Sequence, residues 1–122
     1  MIGYVTLGTN DLPRAVQFYE ALLSELGARR VFDGERSVGW STAVDRPGLA
    51  VTLPHDNRPA TVGNGTMVAL AVDERSMVDA LYHKALALGG TDEGAPGQRS
   101  DGFYAAYFRD LDGNKLNFFC TH

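Results

Sequence analysis

The side chains used most widely in catalysis and metal binding are scarce in this chain. Its three imidazoles are His55, His83 and His122, and its one thiol is Cys120. No Ser-His-Asp set follows from these histidines, so the sequence gives little support to nucleophilic catalysis. His55 stands next to Asp56 in a stretch rich in turn residues, a context typical of a solvated side chain. A metal or catalytic role for His55 is an alternative that the pattern does not favour.

An acidic stretch near the C-terminus has part of the spacing of a calcium loop. Asp110, Asp112 and Asn114 alternate along the chain. Lys115 stands where a calcium loop needs its glycine, and no carboxylate stands at the twelfth position. The stretch therefore predicts a hairpin turn.

Aromatic side chains offer another chemistry, the recognition of a flat or apolar ligand. Packing in a core would explain aromatic residues equally well, so both interpretations stay open at this point. The candidates for an aromatic-lined pocket are Tyr4, Trp40, Tyr104, Tyr107 and Phe119.

Length and composition limit the class of protein. A chain of 122 residues with 44% hydrophobic and 21% charged residues fits one folded domain. The net charge of −4 argues against a nucleic-acid partner, because that affinity rests on clustered Lys and Arg. A single cysteine, no signal-peptide pattern and no apolar run of about 20 residues predict a cytoplasmic protein that does not bind membranes.

The first half of the chain predicts one helix among four strands. Leu12, Ala15 and Tyr19 begin an apolar stripe at helical spacing, with Asp11 as the cap and Gly27 as the stop. The predicted helix spans residues 12–26, and the predicted strands span residues 2–8, 28–33, 36–44 and 48–53.

The second half repeats this pattern after a connector at residues 54–65. Shifting the numbering by 62 places Asp11 on Asp73 and Gly27 on Gly89, which favours duplication of one structural unit. The repeat predicts a strand at 67–72, a helix capped by Asp73, and strands at 91–98, 102–109 and 114–120. The fold class is therefore α+β, with two βαβββ modules, about 1–54 and 65–122, in a single domain spanning 1–122.

Alternation along the strands predicts which side chains face the helices and which face away from them. Two such modules would form a cupped mixed sheet with helices on the outer face and a cavity inside. The residues expected under the helices are Val5, Leu7, Val68, Leu70, Val72, Leu116 and Phe118. Those expected to face the cavity are Tyr4, Thr6, Met67, Ala69, Asn117 and Phe119.

Several stretches resemble the vicinal-oxygen-chelate superfamily, which includes glyoxalases, bleomycin-resistance proteins and extradiol dioxygenases. They are YVTL at 4–7, NDL at 10–12, FY at 18–19, AVD at 71–73, LALGG at 86–90 and FYAAYFRDLDGNKL at 103–116. The resemblance spans nearly the whole chain and implies paired βαβββ modules in a glyoxalase-like domain.

The resemblance also locates the metal ligands of metal-using members, which are His or Gln, His, and Glu. These positions fall on Tyr4, Met67 and Asn117 in this chain. A neutral phenol, a thioether and an uncharged amide are poor ligands for a divalent ion. No cofactor is therefore expected, and a divalent metal is disfavoured.

The favoured function is the binding of a small organic molecule in a cavity between the modules, without the divalent metal of the family. One alternative is a lactoylglutathione-lyase-like or dioxygenase-like metalloenzyme with unusual ligands, in which Tyr4 is the one candidate catalytic residue. A second alternative is a non-catalytic structural or interaction protein. The resemblance implies a homodimer. The ligand-binding residues predicted are Tyr4, Trp40, Met67, Tyr107, Asn117 and Phe119.

Overall fold

Each half of the chain folds into a four-stranded sheet with one helix packed on it. The computed structural model describes all 122 residues, in two units, Met1–Val62 (unit 1) and Gly63–His122 (unit 2). Both units have the element order β-α-β-β-β. The predicted α+β fold of two βαβββ modules is therefore confirmed. No helix is long and apolar enough to cross a membrane.

Unit 1 has a mixed sheet with strand order β1-β4-β3-β2. The pair β1–β4 is parallel, whereas β3 is antiparallel to both of its neighbours. Its elements are β1 (Tyr4–Gly8), α1 (Leu12–Ser24), β2 (Arg29–Asp33), β3 (Ser37–Ser41) and β4 (Gly48–Thr52).

Unit 2 repeats this arrangement with strand order β5-β8-β7-β6. The pair β5–β8 is parallel, and β7 is antiparallel to both of its neighbours. Its elements are β5 (Val68–Ala71), α2 (Arg75–Ala87), β6 (Thr91–Ser100), β7 (Phe103–Arg109) and β8 (Lys115–Cys120).

Helix α1 begins where the sequence predicts it to begin. The Asp11 carboxylate accepts a hydrogen bond from the Arg14 backbone N–H at 3.1 Å, which satisfies one free donor of the first turn. The helix ends at Ser24 rather than at residue 26, because Leu26 and Gly27 bond to carbonyls three residues back in a tighter turn. Gly27 then adopts a φ of 77°.

Helix α2 begins one residue later than predicted. Asp73 was expected to be the cap, but Glu74 occupies that position with extended backbone angles. The Glu74 carboxylate accepts a hydrogen bond from the Ser76 hydroxyl at 3.4 Å but caps no backbone N–H of the first turn. The longer glutamate side chain is a poorer N-cap than aspartate, so the second repeat has lost the capping interaction of the first.

Two hydrogen bonds identify the sheet face that lies against each helix. Trp40 on β3 bonds to Glu20 on α1, and Tyr104 on β7 bonds to Asp79 on α2. Alternation along the paired strands then assigns the remaining side chains. We call the opposite side of each sheet its far face. The far face of unit 1 carries Tyr4, Thr6, Phe32, Gly39 and Ala50, and that of unit 2 carries Ala69, Ala105, Tyr107, Lys115, Asn117 and Phe119.

Candidate functional site

Asn117 is a buried polar residue of unit 2 whose side chain has an unused hydrogen-bond acceptor. It lies in the middle of β8, opposite Ala69 on β5 and Tyr107 on β7. Its side chain is only 1% exposed, and its Oδ1 atom has no hydrogen-bond partner. Buried polar atoms are almost always paired, because an unpaired acceptor costs about 1–3 kcal/mol. The Asn117 carbonyl is therefore a buried acceptor that the chain itself leaves unused.

Tyr107 stands directly opposite Asn117 and has a cation on each of two neighbouring strands. The Arg99 guanidinium lies 5.4 Å from the centre of the Tyr107 ring, and the Lys115 ammonium lies 5.5 Å from it. Distances below about 6 Å are those of cation–π contacts. The far face of unit 2 thus combines an aromatic ring, two cations and a buried acceptor.

A second aromatic group lies further along the same face. Phe119 stacks on Phe103 with ring centres 5.3 Å apart and planes 20° apart. Phe119 is two residues after Asn117 on β8, so both side chains point to the same side of the sheet. Both rings are half-buried, so this end of the face is apolar but still partly accessible.

The far face of unit 1 is aromatic and more exposed. Tyr4 is 64% exposed and Phe32 is 38% exposed, and their rings meet edge to face at 6.2 Å. Phe32 lies directly over Gly39, where any Cβ atom would clash with the Phe32 ring. Phe32 is not among the residues predicted from the sequence. The sequence does contain a sign of this contact, which is a glycine between Val38 and Trp40 in a strand. A glycine inside a strand often leaves room for a large side chain on a neighbouring strand.

Trp40 does not lie with the other predicted site residues. It is 2% exposed and packs against Tyr19 of α1 with ring centres 6.0 Å apart. Its indole N–H donates to the Glu20 carboxylate at 2.9 Å. The side chain is therefore on the helix side of the sheet, as expected for an aromatic residue that alternates with Gly39 and Ser41. We correct its assignment from a ligand-binding residue to a core residue.

The other predicted residues are distributed over both units. Tyr107, Asn117 and Phe119 lie together on the far face of unit 2, whereas Tyr4 lies on the far face of unit 1. Met67 precedes β5 by one residue and is 40% exposed. His55 is exposed in a turn after β4. The structure therefore brings three of the six predicted ligand-binding residues onto one sheet face.

The acidic stretch before β8 forms the predicted hairpin turn. The Asp110 carboxylate accepts hydrogen bonds from the backbone N–H groups of Asp112 and Asn114, both at 2.9 Å. It also accepts one from the Asn114 side-chain amide. Both Asp110 and Asn114 are buried. Their polar atoms shape the turn between β7 and β8.

The residues at the metal positions of the resembled family do not fit a divalent ion. Tyr4 presents an exposed neutral phenol, Met67 a soft thioether and Asn117 a neutral amide oxygen. Divalent ions such as Zn²⁺ and Mn²⁺ prefer imidazole and carboxylate ligands. No three His, Cys, Asp or Glu side chains come together elsewhere in a group able to hold a metal ion.

The shifted pKa values belong to contacts between helices and strands. A hydrogen bond from Trp40, followed by one from Arg30, lowers the pKa of Glu20. A hydrogen bond to Asp79, followed by burial, raises the pKa of Tyr104. Burial and a bond to Asp92 likewise raise the pKa of Tyr82. Because these groups join a helix to its sheet, the shifts reflect packing contacts.

Two surface pockets lie on unit 1, away from the predicted residues. One of about 300 Å³ lies beyond the end of β1 and is lined in part by Thr9, Asn10, Arg36 and Arg58. The other, of about 390 Å³, lies beside the end of α1 and is lined in part by Glu20. Neither pocket includes Tyr4, Phe32 or any residue of unit 2, and the candidate site rests on Asn117 and its neighbours.

Comparisons with known proteins agree with this architecture. Residues 1–118 match the family model of the glyoxalase/bleomycin resistance protein/dioxygenase superfamily. A glyoxalase/bleomycin resistance protein from Albidiferax ferrireducens is 35% identical, with a TM-score of 0.89 over 98% of this chain and 97% of that chain. No curated protein sequence matches the chain.

More distant structures share the fold alone. A glyoxalase/bleomycin resistance protein/dioxygenase family enzyme from Burkholderia phytofirmans is 21% identical, with a TM-score of 0.80 and 98% of both chains covered. A lactoylglutathione lyase from Agrobacterium tumefaciens is 22% identical, with a TM-score of 0.73 over 98% of this chain and 92% of that chain. These likenesses extend over nearly the full length of each protein.

Proposed function

Since the chain belongs to the glyoxalase/bleomycin resistance protein/dioxygenase superfamily, we propose that it binds a small organic molecule without a divalent metal. The far face of unit 2 supplies the specific contacts. The observation that carries this proposal is the Asn117 Oδ1 atom, which is buried and has no partner within the chain. A ligand N–H or O–H group at this atom would remove the cost of the unpaired acceptor.

The aromatic side chains of the far faces support an organic ligand. Tyr107 and Phe119 flank Asn117 in unit 2, and Tyr4 and Phe32 form the exposed pair of unit 1. Rings of this kind bury large apolar area at small entropic cost, while a few polar atoms fix a ligand's orientation. Tyr4 on unit 1 and Met67 on unit 2 remain predicted ligand-binding residues.

Replacing Asn117 by leucine tests the proposal directly. Leucine keeps the branch at Cγ and the number of side-chain heavy atoms but has no acceptor, so we expect Asn117→Leu to fold and to lose ligand affinity. The loss should be about 5- to 150-fold, which corresponds to about 1–3 kcal/mol. The experiment is a thermal-shift screen of small organic molecules, followed by titration of each hit.

A matched control is Asn64→Leu, because Asn64 is exposed in the segment before β5. This variant should bind every hit with native affinity. If the native protein and Asn117→Leu bind all hits with equal affinity, Asn117 does not contact the ligand. A screen in which no molecule raises the unfolding temperature would count against ligand binding itself.

The metal-free part of the proposal needs its own measurement. We expect chelator-treated protein to show no saturable thermal shift with Zn²⁺, Ni²⁺, Mn²⁺ or Fe²⁺, because a specific ligand stabilises the folded state by mass action. A saturable shift at micromolar metal would instead favour the metalloenzyme alternative. His55→Ala would then test whether that histidine holds the ion.

Pairing of two chains is also part of the proposal. It predicts a particle of twice the 13.2 kDa chain mass in light scattering coupled to gel filtration. A particle with the mass of one chain at micromolar concentration would contradict it.

A further inference from the structure

Two cations beside Tyr107 are without a carboxylate partner. The third cation of this region, Arg109, forms an ion pair with Glu93 at 3.1 Å. Arg99 instead bonds to the Ala95 carbonyl at 2.6 Å, and its guanidinium and the Lys115 ammonium both lie against the Tyr107 ring. Their positive charges are therefore not neutralised by any carboxylate in the chain.

The Arg99 guanidinium lies over the glycine-rich part of β6. A Cβ atom at residue 97 would lie 2.8 Å from one guanidinium nitrogen, and a Cβ atom at residue 94 would lie 3.3 Å from the other. The guanidinium thus lies close to the backbone of these two glycines. One of its five N–H donors is used by the Ala95 carbonyl, so the remaining donors are available.

The cations and the buried acceptor belong to one site. Lys115 and Asn117 are two residues apart on β8 and point to the same side of the sheet. Tyr107 is the direct cross-strand partner of Asn117 and the ring against which both cations lie. A ligand that contacts the Tyr107 ring therefore meets donors with positive charge and an acceptor at Asn117.

We propose that the molecule bound on the far face of unit 2 is an organic anion, whose carboxylate, phosphate or sulfonate group is held by Arg99 and Lys115. This inference rests on the proposed function and names the class of its ligand. A hydrogen-bond donor on the same molecule reaches Asn117 Oδ1, and its carbon skeleton packs on Tyr107. The chain carries a net charge of −4, so an anion is attracted by these local cations and not by the protein's overall charge.

Two fluorescent dyes that differ by one charged group test the inference. 8-Anilinonaphthalene-1-sulfonate carries a sulfonate, and N-phenyl-1-naphthylamine has the same rings without it. We expect the native protein to bind the sulfonate dye at least about tenfold more tightly than the neutral dye, because charge-assisted hydrogen bonds exceed neutral ones. The double variant Arg99→Gln/Lys115→Gln should lose this preference and keep its affinity for the neutral dye. The single variants Arg99→Lys and Arg99→Gln should also differ. Arg99→Lys retains the charge, so it should keep more of the preference for the sulfonate dye than Arg99→Gln does.

The matched control removes two positive charges elsewhere. Arg36 and Arg58 line the 300 Å³ pocket of unit 1, which is the competing place for an anion. The double variant Arg36→Gln/Arg58→Gln has the same net charge as Arg99→Gln/Lys115→Gln, so it should keep the native preference. Loss of sulfonate-dye affinity in this control instead would overturn the assignment to unit 2.

The remaining outcomes separate this inference from the proposed function. If both dyes bind equally and Asn117→Leu weakens both, the far face of unit 2 binds organic molecules but does not select anions. In that case the inference fails and the proposed function stands. If neither dye binds, the inference also fails, and the thermal-shift screen of small organic molecules alone decides whether the chain binds such molecules.

Discussion

Units 1 and 2 repeat one strand order, each with a parallel pair at the edge of the sheet, yet their far faces carry different chemistry. In unit 1 the far face presents exposed rings, Tyr4 and Phe32. In unit 2 the corresponding side presents a buried amide at Asn117 with Arg99 and Lys115 near it. The repeated topology is therefore compatible with two unlike surfaces.

The helix sides of the two sheets are more alike. In each unit an aromatic residue on the third strand in chain order, β3 or β7, donates a hydrogen bond to a carboxylate on the helix. Trp40 donates to Glu20 in unit 1, and Tyr104 donates to Asp79 in unit 2. Unit 2 adds a bond in the opposite direction, from Tyr82 on α2 to Asp92 on β6. The comparison indicates that the helix sides maintain the fold and that the far faces are free to acquire function.

Neighbouring phenylalanines on β8 give the largest expected contrast between the two faces. Phe118 is fully buried on the helix side and stacks on Phe108 at 5.4 Å, whereas Phe119 is half-buried on the far face. Phe118→Ala should reduce the free energy of unfolding by about 3–5 kcal/mol, because it leaves a cavity. Phe119→Ala should cost less than half of that. Urea denaturation measures both, and equal losses would show that the two faces do not differ in this way.

The helix caps give the next largest contrast, between the two repeats. Asp11→Ala should reduce the free energy of unfolding by about 1 kcal/mol, since it removes the acceptor for the Arg14 N–H. Glu74→Ala should have little effect, because Glu74 makes no capping bond. Thermal and urea unfolding of the two variants checks this. A loss for Glu74→Ala as large as that for Asp11→Ala would contradict the difference seen between the caps.

The tyrosines of β7 test the same distinction with a single hydroxyl. Tyr104 donates to Asp79 at 2.6 Å, whereas the Tyr107 hydroxyl bonds to no protein group. Tyr104→Phe should cost about 0.5–1.5 kcal/mol and Tyr107→Phe almost nothing. The bond to Asp79 and burial raise the pKa of Tyr104, so its stabilisation is complete below the pKa of an unfolded tyrosine.

This stabilisation is lost as pH rises through the raised pKa of folded Tyr104. The stability difference between the native chain and Tyr104→Phe should therefore be constant at neutral pH and become smaller above pH about 10. Unfolding midpoints measured from pH 8 to about 11 test this trend. A difference that grows with alkalinity would mean that the hydroxyl is not held in its protonated form.

The smallest expected effect concerns Glu20. Hydrogen bonds from Trp40 and then Arg30 lower its pKa, so the stabilisation is present above the pKa of an unfolded glutamate. It disappears as pH falls through the lower pKa of the folded state. Glu20→Gln should cost under about 1 kcal/mol at neutral pH, since both side chains of the ion pair are partly exposed. Acid titration of both proteins should show the two stabilities converging, and a constant gap would contradict this.

Much of the fold can be predicted from local patterns in the sequence. The repeat of cap, apolar stripe and terminal glycine predicts both helices, and alternation predicts which side of β1 and β8 meets a helix. Alternation along β3 also accounts for the core position of Trp40. Val38 and Trp40 share the helix side, and the small residues Gly39 and Ser41 share the other.

The candidate site is less predictable, because it depends on contacts between strands. Asn117 and Tyr107 can be proposed from sequence, but their direct pairing depends on the register of β7 with β8. Register irregularities occur at three places between β6 and β7, and they set where Arg99 lies. Bulges of this kind change the facing of every later side chain, so single-residue patterns do not locate Arg99 beside Tyr107.

Gly39 has a consequence for altering this protein by directed evolution. Its missing side chain makes room for the Phe32 ring on the far face of unit 1. Any larger residue at this position must displace the Phe32 ring. The substituted residue itself would be buried in the sheet and would not form part of the exposed surface. A library randomised at position 39 would therefore vary the shape presented by Tyr4 and Phe32 while leaving both side chains chemically intact.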